Sequence, residues 1–163
     1  MTDVTPELKH FGPYRVIGMS CTDQKYGELW GGEKGFLARK GEIKSPTDDG
    51  MLFGMSRCLP DNSQEYIAAI TVTADSSVPD GMVEAVIGDS TYAVITVKGM
   101  SQIGQGWSAV HAWLGSNGEW HSYCVRDENG VCGCQDYPCF ELYPADHAKT
   151  DLVYIYVPVR CRT

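Results

Sequence analysis

The sequence predicts an α+β fold: a duplicated β-α-β-β unit with pseudo-twofold symmetry. Its mostly antiparallel curved sheet carries two main helices on one side and a groove on the other. Three observations predict it. Segments rich in β-branched and aromatic residues outnumber helical ones. The order strand, helix, strand, strand occurs twice. Residues 53–72, FGMSRCLPDNSQEYIAAITV, align without a gap onto 140–159, FELYPADHAKTDLVYIYVPV, an offset of 87 residues (53 to 140). That self-similarity is the signature of a repeat. Repeat one spans about 8–75 and repeat two about 82–163 in a single domain over 1–163.

Each element has its own signal. YRVIGMS (14–20), MLFGMSR (51–57), YIAAITVTA (66–74), MVEAVIG (82–88), YAVITVKG (92–99), CFELY (139–143) and VYIYVPV (153–159) read as strands. They are bounded mostly by Gly, Pro, Asp or Asn. Residues 26–40, YGELWGGEKGFLARK, place Leu29, Trp30, Glu33, Phe36 and Leu37 at helical spacing. Four glycines weaken that helix, each costing about 1 kcal/mol against Ala. They lack the strand context of a phosphate-binding loop. A stronger helix covers 101–115, with Ser101 as its cap and Ile103, Trp107, Val110 and Leu114 on one stripe. Gly115 and Gly118 are expected to end it. An insertion at about 120–137 belongs to the second repeat alone.

Composition narrows the function. The chain has 163 residues, 43% hydrophobic and 21% charged, with a net charge of −8. An acidic chain without a basic cluster is a poor partner for nucleic acid. No apolar run approaches the roughly 20 residues that span a bilayer, and Met1–His10 has no apolar signal core. A cytoplasmic location is expected. Seven cysteines, an odd number, argue against a secreted disulfide framework. Cys132, Cys134 and Cys139 with His121 or His147 would supply four zinc ligands, but no paired CxxC spacing supports a site. Reduced thiols, no metal and no cofactor are expected. His10, His111, His121 and His147 form no spaced metal motif.

Alternation along strands assigns faces. Phe140 and Leu142 share one face of CFELY, and Glu141 and Tyr143 the other. Val153, Ile155 and Val157 oppose Tyr154 and Tyr156. With the aliphatic set against the helices, Glu141, Tyr143, Tyr154 and Tyr156 are expected on the opposite, groove-lining face. The matching positions of repeat one are Gly54, Ser56, Ile67 and Ala69, small or apolar throughout. A carboxylate among phenol rings suits an organic cation, since each ring attracts positive charge by about 0.5–2 kcal/mol. The same carboxyl, raised in pKa by burial, would serve as a general acid or base. The plain alternative is a solvated Glu141 beside tyrosines that pack on their neighbours.

Trp107 to Leu114, PCFELY (138–143) and Ile155 to Val159, together with GELW (27–30) and GDSTYAVITVKG (88–99), resemble a known family. It is the effector-binding domain shared by AraC-type regulators, MerR-type multidrug sensors and DNA gyrase inhibitor-like proteins. The resemblance covers nearly the whole chain. It implies a ligand groove in which Glu141 contacts the ligand, often a lipophilic cation. Trp107, Trp113, Tyr143 and Tyr156 are implied as surrounding aromatics, with Trp107 equally well placed for the core. The Cys-bearing insertion departs from the family pattern. With no helix-turn-helix ahead of residue 8, a stand-alone small-molecule-binding protein is expected. Two alternatives accompany it. One is a hydrolase of cyclopropanoid or related electrophiles using Glu141, with Glu33 or Glu84 as a second acid. The other is an inhibitor or partner module that binds another protein; a protein partner or a homodimer is the further partner expectation.

Overall fold

The computed structural model describes residues 5–47, 51–59, 61, 63–123, 128–129 and 137–161. Among the described residues nine strands form one antiparallel sheet: β1 (Glu7–Phe11), β2 (Tyr14–Cys21), β3 (Leu52–Cys58), β4 (Gln64–Val72), β5 (Val83–Ile87), β6 (Ser90–Lys98), β7 (Trp120–Ser122), β8 (Cys139–Tyr143) and β9 (Leu152–Cys161). The spatial order is β1-β6-β9-β8-β3-β4-β2-β5, with β7 added to β9. Helices are α1 (Tyr26–Gly31), α2 (Phe36–Arg39), α3 (Ile103–Ser116) and α4 (His147–Thr150). The unit β2-α1-β3-β4 is thus answered by β6-α3-β8-β9. The two units meet where β3 pairs with β8.

Strands β1 and β7 are not visible in the sequence pattern. Four of the five residues of β1 are exposed, so pairing with β6, and not burial, holds it. The helix expected over 26–40 is instead two short ones. A Cβ on Gly32 would lie 2.6 Å from the Glu28 carbonyl oxygen, and one on Gly35 2.8 Å from the same atom. The glycines therefore stop α1 and fold the chain tightly back into α2. Ser101 does not cap α3: it sits in a 3-10 turn, Met100–Gln102, that feeds the helix. At the other end Asn117, and not a glycine, organises the exit, its side-chain oxygen accepting from the Glu119 and Trp120 amides.

Both faces of the sheet are buried. On one face Val16, Phe53, Met55, Ile67, Ala85, Ile87, Tyr92, Phe140, Leu142 and Tyr156 form a single cluster. Contributors come from strands at opposite ends of the order, so the sheet curls around them. Gly12 and Pro13 complete the curl by joining β1, at one end, to β2, one strand from the other end. The opposite face carries the helices. There α1 and α2 cover Ile17, Ala68 and Ile70, and α3 covers Ala93, Ile95, Ile155, Val157 and Val159. Each fully buried aliphatic or aromatic side chain contributes about 1.5–3 kcal/mol.

This two-sided burial corrects the face assignment. Glu141 pairs with Ile155, while Phe140 pairs with Tyr156 and Leu142 with Tyr154. Directly paired residues project to the same face. Glu141 and Tyr143 therefore stand on the helix-bearing face, and Tyr154 and Tyr156 on the other. With apolar surface needed on both sides, hydrophobicity does not say which set of a strand meets the helices.

Candidate functional site

The helices leave a strip of sheet between them. Helix α1 rests on β2 and β4, and α3 on β6, β7 and β9, so the central strands β3 and β8 form the floor of a cleft. Glu141 rises from that floor. On its own strand it accepts a hydrogen bond at Oε2 from the Tyr143 hydroxyl, 2.6 Å away. From α3 the Trp107 indole N–H donates to Oε1 at 2.9 Å. Helix α3 can come this close because residue 106 is glycine: a Cβ there would meet the Ile155 and Val97 side chains at 2.5 and 2.7 Å. Tight seating of the helix brings the next residue, Trp107, down to the carboxylate.

The first unit supplies the other wall. Trp30 of α1 meets the Tyr143 ring edge-on at 5.7 Å between centroids. Its indole N–H donates to the Tyr66 hydroxyl at 2.9 Å. Tyr66 in turn packs against Tyr26, 4.5 Å between ring centroids. Its hydroxyl lies over Gly54, the residue paired with Glu141. A Cβ on Gly54 would be 2.2 Å from the Tyr66 hydroxyl and 3.2 Å from Glu141 Oε2. Glycine in a buried strand often marks such a close approach.

Electrostatics in the cleft are one-sided. Both bonded donors of Glu141 are neutral. Among the described residues the charged pairs lie elsewhere, including Arg57 with Glu65, Arg15 with Glu84 and Arg39 with Glu42. Burial first, and then the Glu141 charge, push the Tyr143 hydroxyl far above the usual phenol range. The same two causes raise Tyr66. Both phenols therefore remain protonated hydrogen-bond donors across the physiological range.

The sequence-predicted residues divide. Glu141, Tyr143 and Trp107 converge. Tyr156 does not: it is 6% exposed and stacks on Phe140 at 4.8 Å within the core of the curl. Tyr154 packs against that same cluster. Trp113 also points away. Six residues along a helix is about 600°, so it stands about 120° round from Trp107. It lines a broad concavity of about 1030 Å³ on the far flank of α3, with Ile95, Val97 and Ala109. Lys98 borders that space, which disfavours a cation there. Glu84 is held by Arg15, and Glu33 is exposed beyond α1, so neither stands beside Glu141. Trp30 and Tyr66 were missed as site residues, although Gly54 in the middle of an apolar strand signalled a close approach. Cys124, Cys132 and Cys134 lie outside the described residues. Within the described residues no cluster of three or more His, Cys, Asp or Glu is arranged to hold a metal ion. No described helix is long and apolar enough to cross a membrane.

A curled antiparallel sheet with two helices on its outer face is the fold of the effector-binding class. The family model of Cass2, the integron-associated effector binding protein, matches residues 13–159, and the chain belongs to that family. The fold is shared with the protein SAV2435 solved bound to tetraphenylphosphonium: 16% identity, TM-score 0.67, covering 96% of this chain and 94% of that one. It is shared with an integron cassette protein from the mobile metagenome of Vibrio cholerae, at 14% identity and TM-score 0.55, covering 96% of each chain. The EcmrR C-terminal domain matches at 12% identity and TM-score 0.57, over 94% of this chain and 96% of that one. No curated protein sequence matches the chain.

Proposed function

We propose that this protein binds organic cations of amphipathic character in the cleft between α1 and α3, with Glu141 as the charge partner. One observation carries the reading: a half-buried carboxylate is ringed by Trp107, Tyr143, Trp30 and Tyr66, and its bonded donors are neutral. A charge withdrawn from water is costly unless it is paired. A bound cation supplies the pairing, and the rings add cation–π attraction. The similar fold solved with tetraphenylphosphonium supports the same ligand chemistry. Binding without turnover is the role proposed, in the cytoplasm and with no nucleic acid.

Titration with tetraphenylphosphonium, followed by tryptophan fluorescence, tests this. Trp30 and Trp107 border the cleft, so saturable quenching is expected. Glu141→Gln keeps the shape and removes the charge. It should weaken binding by about tenfold to a hundredfold, the worth of a charged contact of about 1.5–3 kcal/mol. Equal affinity in wild type and Glu141→Gln would sink the proposal.

A further inference from the structure

The Tyr66 hydroxyl has a defined polarity. The Trp30 indole N–H donates into its oxygen. No described residue accepts the hydroxyl's own proton. Glycine at position 54 lets the hydroxyl settle where a Cβ would stand, and Glu141 Oε2 borders that same place. No hydrogen bond joins the two oxygens. A hydrogen-bond donor and a carboxylate therefore stand near one another over the cleft floor, contributed by different halves of the chain.

We propose that Tyr66 is a second polar anchor, donating a hydrogen bond to an acceptor atom that the ligand carries next to its positive centre. The preferred ligands are then organic cations with an ether, carbonyl or hydroxyl oxygen a few bonds from the charge. Purely hydrocarbon-substituted cations leave the Tyr66 donor unmatched, and a donor buried without a partner is penalised. This rests on the reading of the cleft as a cation site, and adds the feature that selects among cations.

A matched pair of ligands tests it. Butyltriphenylphosphonium and (2-methoxyethyl)triphenylphosphonium differ by one methylene replaced with an ether oxygen. Calorimetric titration of both into wild type, Tyr66→Phe and Glu141→Gln separates the two claims. Tyr66→Phe keeps the ring against Tyr26, and any general change in the cleft falls on both compounds alike, so the ratio of their affinities isolates the hydroxyl. The preference for the methoxyethyl over the butyl compound should fall about threefold to tenfold in Tyr66→Phe. Glu141→Gln should weaken both alike. If Tyr66→Phe shifts both compounds equally, or neither, while Glu141→Gln still weakens both, the second anchor is refuted and the cation site stands. If Glu141→Gln changes neither, or wild type binds neither, the cation site falls and this proposal falls with it.

Discussion

Gly54 and Glu141 face each other across the β3–β8 pair. They are also the two residues that the internal sequence repeat superimposes, at its offset of 87 residues (54 to 141). A residue that is paired with its own repeat equivalent lies on the axis relating the repeats. The carboxylate is therefore at the centre of the pseudo-symmetry, where only one of the two equivalent positions carries a side chain. The space its partner leaves is taken by the Tyr66 hydroxyl.

Filling that space has a definite cost. Gly54→Ala places a methyl group on the Tyr66 hydroxyl oxygen, and the ring must tilt away from Trp30. We expect a loss of about 1–3 kcal/mol of stability, typical of an overpacked site. Thermal unfolding measures it. The Trp30–Tyr66 hydrogen bond should be lost in a crystal structure of the variant.

The two tryptophans of α3 should separate cleanly. Trp107→Phe removes one of the two donors to Glu141, and we expect stability to fall by about 1–3 kcal/mol, the worth of a hydrogen bond to a charged group. Trp113→Phe should leave the response to tetraphenylphosphonium unchanged, because that ring lies on the far flank of the helix. Denaturant unfolding and fluorescence titration of both variants check this.

Tyrosines on opposite faces should behave oppositely. Tyr156→Phe leaves the aromatic core filled and should not change cation affinity. Tyr156→Ala should cost about 3–5 kcal/mol, as large aromatic truncations do. Tyr143→Phe, on the cleft face, should weaken cation binding by freeing the carboxylate and should lower stability by about 1–3 kcal/mol through the lost hydrogen bond to a charged group. Paired unfolding and binding curves distinguish the two faces.

Alkali should expose the buried phenols. The hydroxyls of Tyr143 and Tyr66 are raised above the ordinary tyrosine value of 10.0. The native state thus holds protons that the unfolded chain releases. The sign follows: the contribution is intact below pH 10 and is lost progressively above it. The slope reaches about 1.4 kcal/mol per pH unit for each group. Tyr143→Phe should flatten the fall in stability between pH 10 and 12, as measured by urea unfolding at each pH.

Much of this was legible in the residues. CFELY marks β8 to the residue, Cys139–Tyr143, because its apolar alternation is regular and Pro138 and Pro144 bound it. The gapless repeat by itself matches Gly54 with Glu141. The face of Glu141 was not legible. It depends on which residue of β9 lies opposite, and cross-strand register is set by tertiary pairing between segments that look equally apolar on both sides. The same ambiguity sent Tyr154 and Tyr156 to the wrong side. Trp30 and Tyr66 escaped notice as site residues because a helix and a strand of the first half reach a carboxylate of the second only after the sheet has curled.

The bonds that Trp107 and Tyr143 make to Glu141 bear on recognition kinetics as well as affinity. A free glutamate on an open sheet samples several rotamers, and ordering it costs about 1–2 kcal/mol. Here two donors on different elements already hold both oxygens. For the cation binding proposed here, the charge is fixed in direction before contact, so the ordering cost falls on folding and not on capture.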